Sequence, residues 1–154
     1  MAQGDSREIV IERVFNAPRE LVWKAWTDPE HVAKWWGPDG MTTRVDELDL
    51  RPGGSWRYVM VAPDGSEYLQ RGVFREIVPP ETIVTSAEFE VGGDAPQKVV
   101  LTYRFDDLGD KTKLTMRQRS ADELGEHERM GVIAGWNSNS DCLDSYLATL
   151  ASNG

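Results

Sequence analysis

The sequence predicts an α+β fold in which a curved seven-stranded antiparallel sheet wraps one long C-terminal helix. Three observations carry this prediction. Six strand-like segments follow one another between residues 42 and 119, separated only by turn residues. A further strand and two short helical patterns precede them, and an amphipathic stretch closes the chain. Strands joined by short turns, with no helices between them, pair as an antiparallel meander.

The elements follow in order. Residues 1–7 are polar and read as a disordered tail, leaving 8–151 as one domain. Ile9 to Phe15 is β-branched and partly alternating, a first strand. Asn16-Ala17-Pro18 opens a helix whose Leu21, Val22, Ala25 and Trp26 share a face. Thr27-Asp28-Pro29-Glu30 restarts the chain as a second helix, with Thr27 as the cap and Glu30 closing a capping box. That helix turns Val32, Trp35 and Trp36 inward and stops at Gly37-Pro38. The meander strands are Thr42–Leu50, Ser55–Ala62, Glu67–Val78, Thr82–Val91, Gln97–Phe105 and Lys111–Arg119, the first five ending in Gly, Pro or Asp turn chemistry. Ser120-Ala121-Asp122-Glu123 is a second capping box, before a helix from about Glu126 to Ala151. Val132, Trp136, Leu143, Leu147 and Leu150 form its apolar stripe.

The bulk numbers bound the function. A chain of 154 residues is the usual size of one domain and buries roughly two thirds of its unfolded surface without staples. Cys142 is the only cysteine, so no intrachain disulfide forms. A polar N-terminus and the absence of any long apolar run give a cytoplasmic expectation and no membrane partner. A formal charge of −9 with interspersed cations repels phosphate backbones, which removes nucleic acid as a partner.

One helix cannot cover a sheet this wide, so something else fills its apolar face. Strict alternation gathers Trp56, Tyr58, Met60, Phe74, Phe89, Leu101, Tyr103, Phe105, Leu114 and Met116 there. Arg57, Arg75, Glu88, Arg104, Arg117 and Arg119 fall on the other face, toward solvent. Amphipathic aromatics and methionine suit a small-molecule pocket, although each alone also serves as core packing. On the last helix, Trp136 and Ser140 lie in the stripe, with Asn137 and Asn139 flanking. The candidate ligand-binding residues are therefore Trp56, Tyr58, Met60, Phe74, Phe89, Tyr103, Met116, Trp136 and Ser140. Gly131 and Gly135 each weaken the helix by about 1 kcal/mol relative to alanine. A close backbone approach, or a bend over the pocket, is the reason to expect for them.

Chemical motifs are lacking. His31 and His127 read as exposed helix residues beside carboxylates, Gly53-Gly54 and Gly92-Gly93 as turns, and Cys142 as a small packing residue. No catalytic residue, metal site or cofactor is assigned.

These residues together resemble a known family. The carriers are Ala17-Pro18-Arg19-Glu20-Leu21-Val22-Trp23, Trp26-Thr27-Asp28-Pro29-Glu30-His31 and Trp35-Trp36-Gly37-Pro38. Further along stand Asp49-Leu50-Arg51-Pro52-Gly53-Gly54-Ser55-Trp56, Gly72 to Ile77 with Pro79-Pro80-Glu81, and Gly135-Trp136 with Leu143, Tyr146 and Leu147. Over residues 8–150 the chain resembles bacterial single-domain proteins related to the C-terminal domain of the Hsp90 ATPase activator Aha1. These belong to the START/Bet v 1-like helix-grip (SRPBCC) superfamily. The resemblance implies a helix-grip fold and a cavity between sheet and long helix for sterols, polyketides or other apolar ligands. It implies no fixed catalytic residues. The chain lacks the separate N-terminal domain of the eukaryotic activator, which weakens the expectation of direct Hsp90 stimulation.

The leading functional expectation is binding or sequestration of a small hydrophobic molecule. The alternatives are a pocket enzyme of cyclase or hydrolase type and a chaperone co-factor interaction module; a homodimer is also left open. Converging unpaired polar groups would favour the enzyme, a closed apolar cavity the carrier, and a filled core with an exposed apolar patch outside it the interaction module.

Overall fold

The computed structural model describes residues 7–36, 40–89, 97–120 and 126–153, without the side chains of 89, 97, 127, 128 and 151–153. The order is β1 (Glu8–Phe15), α1 (Arg19–Thr27), α2 (Pro29–Trp35), β2 (Thr42–Leu48), β3 (Ser55–Val61), β4 (Glu67–Val78), β5 (Thr82–Phe89), β6 (Gln97–Asp107), β7 (Thr112–Ser120) and α3 (Glu126–Asn153). The seven strands form one antiparallel sheet in the order β1-β7-β6-β5-β4-β3-β2. The meander is therefore complete from β2 to β7, and β1 closes it by pairing with β7, Ile11 opposite Met116. This is the α+β helix-grip arrangement.

Local chemistry explains the element ends, with one correction. Asp28, not Thr27, caps α2: its Oδ1 accepts from the Glu30 amide at 3.0 Å. Pro29 follows in the first turn, where a missing N–H is harmless. Thr27 instead ends α1, its hydroxyl donating back to the Trp23 carbonyl at 2.8 Å. Between β3 and β4 the turn at Asp64-Gly65 needs φ of 89° at Gly65, which only glycine adopts freely. The Asp64 carboxylate accepts from the Ser66 amide there, which holds its pKa below the usual carboxylate value. The Gly37-Pro38 stop, the Gly92–Pro96 turn and most of the Ser120–Glu123 capping box lie outside the described residues. Ser120 itself ends β7, and the Arg7 carbonyl accepts its amide at 2.7 Å.

Strict alternation fails at two places, for a physical reason. A bulge lies between Phe74 and Glu76 in β4, and another between Val45 and Glu47 in β2. Unbroken alternation would put Glu76 on the apolar face beside Phe74. The extra residue, Arg75, returns Glu76 to the outside and lets Ile77 pair inward with Ile83.

The core lies between the sheet and the three helices. It holds Phe15, Val22, Ala25, Trp26, Val32, Trp35 and Trp36 from the first third of the chain, and the inward residues of β3 to β7. The first half of α3 packs lightly. From residue 126 to 138 no described side chain is buried, and Met130 is 63% exposed. Beyond it Asn139, Leu143 and Leu147 are buried. A Cβ built at Gly131 or Gly135 would meet nothing within 4 Å, so close backbone approach does not account for these glycines. Arg13 ties α3 to β1, its guanidinium 2.6 Å from Asp141 and within reach of the Asn137 carbonyl.

Candidate functional site

The face beneath α3 is built from aromatic rings. β3 brings in Trp56 and Tyr58, whose centroids are 4.8 Å apart. Helix α2 and its end add Trp35 and Trp36, and Trp36 meets Tyr58 at 5.2 Å and Trp136 of α3 at 5.8 Å. Trp26 of α1 sits in the middle, 4.4 Å from Tyr103 and 4.9 Å from Trp35. Through Phe105 the chain of contacts reaches Trp23, so all six tryptophans belong to one network.

Four of the indoles in this network donate hydrogen bonds. Trp35 donates to the Ala25 carbonyl at 2.8 Å, Trp36 to Gln70 Oε1 at 2.7 Å and Trp56 to Thr85 Oγ1 at 2.7 Å. Trp136 donates to Gln118 Oε1 at 3.1 Å, which turns its ring toward the sheet as its place in the stripe predicts. Among the described residues of this network, the buried indole N–H of Trp26 has no hydrogen-bond partner. An indole nitrogen can only donate, so nothing else in the ring offsets that loss.

Most of the sequence-predicted residues share this face. Trp56, Tyr58, Phe74, Tyr103 and Met116 are buried and Met60 is half-buried. The Phe89 side chain lies outside the described residues. Met116, Trp136 and Ser140 come together with Trp26, Trp35 and Asn139 around a void of about 10 Å³, room for about one water. The sequence favours a cavity here and leaves open whether it is filled. In this conformation the aromatics of α1 and α2 occupy the space that α3 alone could not fill. Sequence reasoning turned Trp26, Trp35 and Trp36 inward but did not connect them to the sheet. Their crowding in eleven residues was the available signal. It also set Asn139 beside the stripe, whereas Asn139 is 6% exposed and Ser140 only half-buried.

His31 departs from its expected exposure as well. It is half-buried, with Nδ1 hydrogen-bonded to the Tyr146 hydroxyl, and so links α2 to α3. Burial, with Asp28 and Glu30 nearby, pushes the Tyr146 pKa up. Among the described residues no group of three or more His, Cys, Asp or Glu is placed to hold a metal ion. No helix there is long and apolar enough to cross a membrane.

Burial also pushes the Tyr58 and Tyr103 phenols well above the usual tyrosine value, with the neighbouring Tyr58 charge adding to the shift at Tyr103. Their folded pKa values exceed the unfolded ones, so their contribution to stability is complete below about pH 10 and falls as pH rises above it. A tyrosinate absorbance titration should therefore leave these two phenols un-ionised until the protein unfolds. Two early-titrating phenols in Tyr68→Phe/Tyr146→Phe protein that is still folded would contradict this.

With this geometry described, known proteins supply the family. The family model described as Activator of Hsp90 ATPase homolog 1-like protein matches residues 16–148. The chain belongs to that family. A crystal structure of a protein from Chromobacterium violaceum is similar at 28% identity and TM-score 0.80, covering 90% of this chain and 95% of that one. A Mycobacterium smegmatis protein is also 28% identical, TM-score 0.79, covering 94% and 93%. A Silicibacter pomeroyi protein titled as a member of the same family is 25% identical, TM-score 0.77, covering 92% and 98%. No curated protein matches the chain.

Proposed function

We propose that this family member binds a small hydrophobic molecule between the sheet and α3, in a site that opens when the first half of α3 moves. The observation that carries the reading is an amphipathic lining beneath a lightly packed lid. Tyr58, Tyr103, Gln118 and the unpartnered Trp26 indole are buried under or beside a helical segment none of whose described side chains is buried. A buried donor left unpaired costs about 1–3 kcal/mol, and Trp26 holds one at the centre of the aromatic lining, with Arg19 and Ser120 the other described residues that bury an unpartnered polar atom. A ligand with an acceptor atom and an apolar body would relieve that cost. The closed state then lowers the apparent affinity by the fraction of molecules that are open.

Gly131 and Gly135 make the lid easy to bend, and alanine fits at both. In Gly131→Ala/Gly135→Ala protein the helix stiffens by up to about 1 kcal/mol per site. The melting temperature should rise, and affinity for a neutral fluorescent probe, N-phenylnaphthylamine, should fall by up to about thirtyfold. Tyr58→Ala should change the response of the bound probe. Saturable binding indifferent to all three substitutions would place the site elsewhere.

A further inference from the structure

The outer face of the sheet, away from α3, carries a feature that the internal site does not use. Rows of paired residues cross it: Arg57, Arg71, Glu88 and Lys98 form one, and Ser55, Val73, Ser86, Val100 and Arg119 form another. Together with the bulged Arg75 they bound an open groove of about 710 Å³ whose floor is the backbone of the inward row between them. From Glu47 on β2 to Arg119 on β7 it crosses six strands, or ~24 Å at the usual strand spacing.

Its charge runs against that of the whole molecule. Among the described residues five cations, Arg57, Arg71, Arg75, Lys98 and Arg119, line it with two acids, Glu47 and Glu88. The chain as a whole carries −9, so the rest of it is more acidic still. Arg71 is paired with Glu88 at 3.1 Å, and Arg57 lies 3.8 Å from Asp46. Arg75 and Lys98 have no ion-pair partner among the described residues, and both are exposed. Between the cations stands apolar surface: Val73 is 43% exposed and Val100 is half-exposed.

We propose that this groove docks an acidic segment of another protein, with apolar side chains seated on Val73 and Val100 and carboxylates on the surrounding cations. An apolar centre within an arginine-rich polar rim is the composition of protein interfaces. A nucleic acid fits less well, because the −9 body repels a long polyanion and two glutamates stand in the groove. A short acidic segment feels mainly the local cations, since screening limits reach to about 8–10 Å.

The test uses the full chain and a fluorescein-labelled peptide of about sixteen residues, aspartate and glutamate with leucine at every fourth place. Binding should be saturable and weaken with added salt, and should shift the methyl resonances of Val73 and Val100. Arg75→Glu/Lys98→Glu should weaken it by about tenfold or more. Arg51→Glu/Lys111→Glu, an equal charge change in turns outside the groove, should alter it less than about twofold. Equal losses in the two double variants would reduce the effect to net charge and overturn the proposal. So would absent binding, shifts that avoid Val73 and Val100, or a DNA duplex binding as tightly as the peptide. A dimer in sedimentation that Arg75→Glu/Lys98→Glu dissociates would assign the face to a second copy instead.

Discussion

Gly72→Ala should lower stability by about 3 kcal/mol or more, a fall of roughly 6–12 °C in melting temperature. Gly72 sits in β4 opposite Trp56 and Ala87. A Cβ there would lie 1.9 Å from the Ser86 carbonyl oxygen and 2.7 Å from the Trp56 indole nitrogen. Neither neighbour yields cheaply. The carbonyl belongs to the paired strand, and the indole is fixed by its hydrogen bond to Thr85. Moving the ring breaks that bond and disturbs its contact with Tyr58. Gly131→Ala is the matched control, since alanine has open space there and should stabilise. Trp56→Phe in the Gly72→Ala background should recover little, because the Ser86 carbonyl remains in the way. A Gly72→Ala melt within about 2 °C of the parent would mean that β4 and β5 can spread apart.

Trp26→Ala should destabilise by about 3–5 kcal/mol. Trp26 is 7% exposed and touches Trp35, Trp36, Tyr103 and Phe105, so its removal takes the centre from the aromatic network. Trp26→Phe keeps a ring among those four and deletes the unpartnered N–H. Its cost should be no more than about 1–2 kcal/mol, because part of the lost packing is offset by removing a buried unpaired donor. Equal losses in the alanine and phenylalanine variants would mean that the indole N–H is satisfied, for example by a water in the adjoining void. Chemical denaturation followed by circular dichroism separates these outcomes without relying on tryptophan emission.

The elements were legible because local signals agree with the tertiary arrangement. The Pro63-Asp64-Gly65 turn and the β-branched strands around it predict the β3–β4 hairpin, and Pro29 in a first turn marks the start of α2. The cap was misassigned because Thr27 and Asp28 are both good N-caps. The choice fell to whichever carbonyl and amide the backbone brought near. The β4 bulge was invisible for another reason. Alternation alone cannot say where a sheet inserts a residue to keep Glu76 in water.

Less of the site was legible. Inward orientation of Trp56, Tyr58, Tyr103 and Met116 follows from strand period, and that of Trp136 from helix period. How full the space between them is depends on where α1 and α2 sit, and no period encodes that. Their tryptophans fold back over the sheet through contacts such as the bond from the Trp36 indole to Gln70, 34 residues apart in sequence. The outer groove was hidden for a similar reason. Arg57, Arg71 and Lys98 are far apart along the chain, and only strand register places them in one row.

By itself, then, the sequence determined the order of elements, the antiparallel meander, the face of strand residues away from the two bulges and the family to which the chain belongs. These rest on short-range periodicity, turn stereochemistry and a run of motifs, all readable within a few residues. The tertiary structure decided that the helix-covered space is packed with indoles, that Trp26 lacks an acceptor, that His31 meets Tyr146, and that cations gather on the outer face. Each of these depends on residues distant in sequence meeting at van der Waals or hydrogen-bond range, and register and helix docking set those distances.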